Sequence, residues 1–116
     1  MDMDMKLLLN PAVVRMLQRL LEDPGRTWYA TELMQAAHVS SGSFYPGVTR
    51  LERAGWVTVE EEDIDTRKER RPARVFYKMT GEGVREAHCA LVELSESVRP
   101  PASSPGWLLG PKPKAV

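Results

Sequence analysis

Residues 41–60 read SGSFYPGVTRLERAGWVTVE, and the hydrophobic period of this stretch changes at Gly55. Before Gly55 the apolar side chains recur at spacings of four and three, which predicts a helix with one buried face. These side chains are Phe44, Val48 and Leu51. Ser40 or Ser41 can cap the helix, and Ala54-Gly55 can end it. After Gly55 apolar and polar residues alternate, so a β-strand follows the helix directly.

Two further amphipathic helices are predicted before this stretch. Asn10 followed by Pro11 is a good helix start, because the asparagine side chain can accept from free amides and proline needs no partner. We expect this helix to run to about Glu22, where Asp23-Pro24-Gly25 forms a turn. A shorter helix is predicted between Thr27 and His38, from apolar residues that share one face. Three helices therefore precede the first strand.

A second strand and a last helix are predicted after it. Apolar and polar residues alternate from Arg74 to Met79, which predicts the returning strand of a hairpin. The intervening residues 61–73 are nearly all charged and too many for a tight turn, so we expect a mobile tip. Thr80 can cap a final helix with an a/d pattern over two heptads, which predicts a homodimer contact. The residues of this pattern are Val84, Ala87, Leu91, Leu94 and Val98.

This order of elements predicts an α+β, mainly helical fold: a winged helix-turn-helix with a two-stranded wing and a C-terminal dimerisation helix. Residues 10–79 would form the DNA-binding domain and residues 80–98 the dimerisation helix. Residues 99–116 are rich in proline and predict a disordered tail. Within this tail, Trp107-Leu108-Leu109 is as consistent with a docking motif or an extra dimer contact as with no role.

Composition narrows the classes of function. The chain has 116 residues and 13.1 kDa, enough for one domain. Sixteen basic residues balance sixteen acidic ones, so any DNA binding must come from local clustering of charge. Near the start the longest apolar run is Leu7 to Leu9, which predicts a cytoplasmic protein without a membrane segment. We expect no metal and no cofactor: His88 and the single Cys89 are the nearest pair of ligands, and they point in different directions.

The third helix carries the first set of candidate site residues. If it buries its apolar face, its other face presents side chains of the types that contact DNA. Serine and tyrosine hydroxyls suit phosphate oxygens, and an arginine can donate to guanine O6 and N7. The alternative is an ordinary solvated helix face. The predicted DNA-contacting residues are Ser41, Ser43, Tyr45, Thr49, Arg50 and Arg53.

The wing carries the second set. The first strand of the wing is acidic, with a run of acidic residues from Glu60 to Asp65. Five basic residues occupy the tip and the returning strand. Basic groups there can reach phosphates or the minor groove, while the acidic run points away or pairs with the arginines. An exposed charged hairpin without DNA contacts is the alternative. The predicted wing contacts are Arg67, Lys68, Arg70, Arg71 and Arg74.

Three segments together resemble the PadR family of transcriptional regulators: VSSGSFYP at 39–46, RLERAGWV at 50–57 and RVFYKMTGEG at 74–83. The resemblance covers about Val13 to Leu94. It implies a dimeric winged-helix repressor that binds an inverted repeat in double-stranded DNA, is released by a small molecule in some members, and belongs to the short form with one helix after the wing. The chain departs from the family at Phe44, where leucine is usual. It also has Gly47 directly after the family's proline, so we expect a bent recognition helix.

Two other classes of function compete with this interpretation. The neutral charge and the proline-rich tail are also consistent with a winged-helix module that binds proteins rather than a specific DNA sequence. An enzyme is not predicted, because the sequence has no nucleophile paired with a base, no paired carboxylates in a cleft and no phosphate-binding glycine loop. A further group of large apolar residues is assigned to the core rather than to an effector pocket: Met16, Trp28, Met34, Trp56 and Met79.

Overall fold

The computed structural model describes residues 9–101. Its elements are α1 (Pro11–Glu22), β1 (Trp28–Tyr29), α2 (Ala30–Ala37), α3 (Ser41–Arg53), β2 (Val57–Glu61), α4 (Thr66–Glu69), β3 (Val75–Met79) and α5 (Gly81–Ser97). The first and third helices, both wing strands and the last helix lie where the sequence predicts them. The remainder of the proline-rich tail, with its Trp107 cluster, lies outside the described residues.

Helix α1 begins as its sequence predicts and forms the centre of the helical layer. Asn10 Oδ1 accepts from the amide of Val13 at 2.9 Å, and Pro11 occupies the first turn. The buried face of α1 packs against α2, α3 and α5. Its fully buried residues are Val13, Met16 and Leu17, with Leu20 at 1% exposure.

Helix α2 starts later than predicted, because the residues before it form a short strand. Trp28 and Tyr29 pair with β3 in antiparallel register, opposite Tyr77 and Phe76. Glu32 then accepts from the amide of Tyr29 at 2.9 Å and fixes the helix start. The prediction of helix from Thr27 was wrong, because a strand of two residues is too short to show an alternating period.

The sheet has three antiparallel strands in the order β1-β3-β2, so the predicted two-stranded wing gains β1 as an edge strand. Val57 pairs with Met79 and Val59 with Tyr77. Met79, Tyr77 and Val57 are buried, and Val59 packs against the core. This confirms the predicted alternation and fixes the wing on the helical layer.

The start of α5 is tied to the end of α3. Thr80 Oγ1 accepts from the amide of Gly83 at 2.8 Å and donates to the carbonyl of Gly55 at 2.7 Å. Gly55 itself has a φ of +80°, a conformation that favours glycine. At Gly83 a Cβ atom would overlap the carbonyl of Trp56. The close approach of α5 to the wing therefore requires glycine.

The predicted core assignments hold for the large apolar residues. Trp28, Trp56, Met16 and Met79 are buried, and Met34 is partly buried against the same cluster. Among the helices of residues 9–101, none combines the length and the apolar character that a membrane crossing demands.

Candidate nucleic-acid interface

Helix α3 presents its predicted DNA-contacting residues to solvent. Phe44 and Leu51 are fully buried and Val48 is 3% exposed, so the apolar face is satisfied inside the chain. The opposite face is exposed at every predicted position: Ser41, Ser43, Tyr45, Thr49, Arg50 and Arg53. The hydroxyl of Thr49 donates to the carbonyl of Tyr45 at 2.8 Å, so toward an outside partner this hydroxyl is left as an acceptor.

Pro46 and Gly47 do not interrupt α3. The helix runs continuously from Ser41 to Arg53 with Pro46 inside it. Gly47 is buried, and a Cβ atom there would lie 3.1 Å from Val13 Cγ2 and 3.5 Å from Met16 Sδ. Glycine therefore allows α1 and α3 to approach closely. The sequence shows only its lower helix propensity, whereas the structure shows its packing role.

An aromatic cluster fixes the orientation of α3 against the sheet. The rings of Phe44 and Tyr77 meet edge to face, with centroids 5.5 Å apart, and Phe44 meets Tyr45 in the same way at 5.1 Å. Burial raises the pKa of Tyr77, and the nearby Tyr45 and Glu52 raise the pKa further. Tyr77 therefore stays neutral near pH 7, and the ring contacts connect α3 to β3 of the wing.

A groove of about 480 Å³ lies between α3 and the wing. Tyr45 lines it from α3, Arg74 from the position before β3, Tyr29 from β1 and Thr31 from the first turn of α2. The guanidinium of Arg74 lies 5.5 Å from the centroid of the Tyr29 ring, within cation-π range. Tyr45 and Arg74 are among the residues predicted from the sequence. Tyr29 and Thr31 are not, because the position of these two residues depends on the pairing of β1 with β3.

The wing tip is structured rather than irregular. Asp65 caps the short helix α4 by accepting from the amides of Arg67 and Lys68 at 3.0 and 3.3 Å. Arg70 follows in the left-handed conformation, with φ of 54°. The density of charge did not predict this short helix, which has no buried residues; the mobility of the tip stays a prediction.

The arginines of the wing fall into two groups. Arg71 donates to Glu62 Oε1 at 2.6 Å, and the same oxygen accepts from the amide of Arg74 at 3.3 Å. The hydrogen bond from Arg71 holds the pKa of Glu62 below its ordinary value, and Glu62 in turn raises the pKa of Arg71. The pairing expected as one alternative thus occurs at Glu62, which holds Arg71 against the tip end of β2.

The other basic residues of the wing are free of such pairs. Arg67, Lys68, Arg70 and Arg74 are exposed, and within residues 9–101 no carboxylate oxygen lies within 4.0 Å of their charged nitrogens. Of the five predicted contacts, four therefore carry a charge without an ion pair, and Arg71 does not.

The predicted interface residues of α5 are divided between the core and the surface. Ala87 is fully buried in the core of its own chain, and Val84 and Leu91 pack against that core. Leu94 is half-buried, while Val98 is 69% exposed. The first heptad of the seam is used inside the chain, because α5 lies on α1 and Trp56. Of the five predicted residues, Leu94 and Val98 are left to contact a partner.

Comparison with solved structures identifies the fold. A transcriptional regulator homologue from Pyrococcus horikoshii OT3 superposes with a TM-score of 0.63 at 20% identity, over 80% of this chain and 85% of that one. This is the winged-helix fold. The helical layer, the three-stranded sheet and the wing all fall within the range of architectures known for winged-helix transcriptional regulators.

Two other similar structures are complexes with a bound molecule. Reduced AbfR bound to DNA matches with a TM-score of 0.60 at 18% identity, over 90% of this chain and 68% of that one. PcaV from Streptomyces coelicolor, in complex with its natural ligand, matches with a TM-score of 0.58 at 17% identity, over 76% of this chain and 57% of that one. This chain thus spans less than two thirds of PcaV. No family model matches the chain, and no curated protein is significantly similar to it; PadR membership stays a prediction.

Proposed function

We propose that this protein is a sequence-specific DNA-binding transcriptional regulator that acts as a homodimeric repressor on an inverted repeat. The observation that carries the proposal is the exposed polar face of α3, beside a wing with four exposed basic residues that have no ion pair in the described part of the chain. The fold is that of transcriptional regulators, and one neighbour is described as bound to DNA. The resemblance to the PadR family favours repression.

Helix α3 would enter the major groove. Arg50 and Arg53 can donate to guanine O6 and N7, and Ser41 and Ser43 can contact phosphate oxygens at the helix start. Neither arginine has a carboxylate within 4.0 Å in the described part of the chain. Their donors are therefore available to a base without first breaking an ion pair.

The groove between α3 and the wing would hold the sugar-phosphate backbone beside that major groove. Arg74 supplies a positive charge, and the hydroxyls of Tyr45, Tyr29 and Thr31 supply hydrogen-bond donors around it. These are the groups that commonly contact phosphates. Arg67, Lys68 and Arg70 would then contact the flanking DNA from the wing tip.

Dimerisation would use the C-terminal end of α5, at Leu94 and its C-cap residue Val98. Leu94 and Val98 leave apolar surface on the helix beyond the part that packs on α1. Two copies joined there would place two recognition helices for the two half-sites of an inverted repeat. Sedimentation equilibrium of wild type and of a Leu94→Asp, Val98→Asp variant tests this step: the wild type should be a dimer and the variant a monomer.

The proposal as a whole is tested by selecting the DNA fragments that the protein binds. Purified protein is incubated at moderate salt with fragmented DNA from its own source, and retained fragments are sequenced. Enrichment of one inverted repeat supports a dimeric regulator, and placement of that repeat over a promoter, with loss of expression in a reporter, supports repression. Retained fragments indistinguishable from the input would contradict sequence-specific binding and favour a winged-helix module that binds proteins.

A further inference from the structure

Gly42 is a glycine of α3 that the packing of residues 9–101 does not require. A Cβ atom built on it has Ser40 Oγ at 3.9 Å as its nearest neighbour, an ordinary contact distance. Its φ is not positive. Gly47, by contrast, faces Val13 at 3.1 Å, and Gly55 has a φ of +80°. Because glycine weakens a helix relative to alanine, a reason for Gly42 is expected outside the folded chain.

Pro46 lies one turn further along on the same face. Successive residues of a helix are rotated by about 100°, which places Gly42 and Pro46 opposite the buried Phe44 and Leu51. Both are exposed. Since proline has no amide hydrogen, the carbonyl of Gly42 lacks its usual helical donor. In this part of α3 the helix backbone at Gly42 and the apolar ring of Pro46 are therefore exposed to solvent.

The surroundings of this surface suit DNA. Gly42 and Pro46 line one side of a groove of about 370 Å³ between α3 and the start of α1, together with Arg50 and Arg15. Arg15 donates through Nε to the carbonyl of Ala37 at 3.1 Å, which leaves its terminal nitrogens for a phosphate. A bare, apolar helix surface is thus flanked by two guanidinium groups.

We propose that Gly42 and Pro46 form a surface on which base edges are read at close range, with a thymine methyl group packed on the Pro46 ring. The thymine methyl is the apolar group that base pairs present in the major groove. A side chain at position 42 would hold the helix backbone away from the base pair. This inference rests on the proposed DNA-binding function and names the chemical group that its recognition helix reads.

The first test replaces Gly42 by alanine, with Gly25→Ala as the matched control. A Cβ atom added at Gly25 would likewise have open space around it, with nothing within 4 Å, but Gly25 lies in the turn after α1. Gly42→Ala should have a Tm equal to or above that of wild type and should lose about tenfold in affinity for the duplex recovered by selection. Its affinity for a shuffled duplex should not change, and Gly25→Ala should bind as wild type does.

The second test removes single methyl groups from the DNA. Each thymine of the recovered duplex is replaced in turn by deoxyuridine, and both wild type and Pro46→Ala are titrated. Wild type should lose affinity at one thymine in each half-site, by about three- to tenfold. Pro46→Ala should show no loss at that position. An unchanged methyl dependence in Pro46→Ala would overturn the proposal.

The outcomes separate this inference from the function on which it rests. If wild type enriches no DNA sequence, the proposed function fails and this inference fails with it. If wild type enriches a sequence and Gly42→Ala binds it equally well, only this inference fails. A lower Tm in Gly42→Ala that is restored by adding Pro46→Ala would also overturn it, because Gly42 would then serve only to accommodate the proline ring.

Discussion

Replacing Arg70 and Arg71 separately by glutamine should separate a DNA contact from a contact within the wing. The two residues are adjacent, and each change removes one positive charge. Arg71 is hydrogen-bonded to Glu62 at 2.6 Å, whereas Arg70 is exposed and has no carboxylate within 4.0 Å in the described residues. A phosphate would have to displace Glu62 to engage Arg71, but it can engage Arg70 directly.

The magnitude follows from counterion release. Each phosphate contact contributes about 0.9 to the slope of log affinity against log salt concentration. Loss of the Arg70 contact should therefore reduce the magnitude of this slope by about 0.9. The ratio of wild-type affinity to Arg70→Gln affinity should then be smaller at 200 mM salt than at 50 mM salt, by about 3.5-fold. Arg71→Gln should leave the slope unchanged and lower the Tm, because Glu62 loses its partner.

Fluorescence anisotropy with a labelled duplex at four salt concentrations measures both slopes, and thermal unfolding supplies the Tm values. The same duplex serves both variants, so each is the control for the other. Equal reductions of slope in Arg70→Gln and Arg71→Gln would refute the division of the wing into free and tied arginines.

Three further predictions concern stability. Gly83→Ala should destabilise the protein by about 3 kcal/mol, because its Cβ atom would overlap the Trp56 carbonyl and the packed core resists the shift; denaturant titration that finds a change as small as that of Gly25→Ala would contradict this. Thr80→Ala should cost about 1 kcal/mol through loss of the α5 cap, and a wild-type midpoint of unfolding in this variant would count against it. Glu62→Gln should reduce the Tm at neutral pH but not at acidic pH. The folded pKa of Glu62 lies below its ordinary value of 4.5. The ionised carboxylate therefore stabilises the folded protein above that pH, and this stabilisation is lost as the pH falls below it. A Tm difference between Glu62→Gln and wild type that stays constant from pH 3 to 7 would exclude this dependence of stability on the ionisation of Glu62.

Much of the fold follows from local patterns in the sequence. The spacing of Phe44, Val48 and Leu51 predicts the buried face of α3, and Asn10-Pro11 predicts the start of α1, because these signals act within one or two helical turns. Strand β1 does not follow, since its two residues are extended only because β3 lies beside them. Helix α4 does not follow for a related reason: in the sequence Asp65 is one charge among many, and only the structure shows it as a cap.

The candidate site is predicted less completely than the fold. Exposure of the α3 residues follows from the helical period, so all six predicted positions lie on the open face. The pairing of Arg71 with Glu62 depends on the register of the hairpin, which sets residues nine positions apart side by side. The burial of Ala87 likewise depends on the angle at which α5 crosses α1, and no periodic pattern along α5 specifies that angle.

DNA cleavage from a reagent tethered to α3 tests directly whether the exposed face of this helix contacts the DNA. In a Cys89→Ser background, which removes the single cysteine, an iron chelate is tethered to a cysteine introduced at Thr49 on the exposed face of α3, or at Gly25 as a control. Strand cleavage is then mapped on the duplex recovered by selection. If α3 lies in the major groove, we expect cleavage inside each half-site from position 49 and none above background from position 25. Equal cleavage from both positions, or cleavage from position 49 that ignores the half-sites, would contradict it.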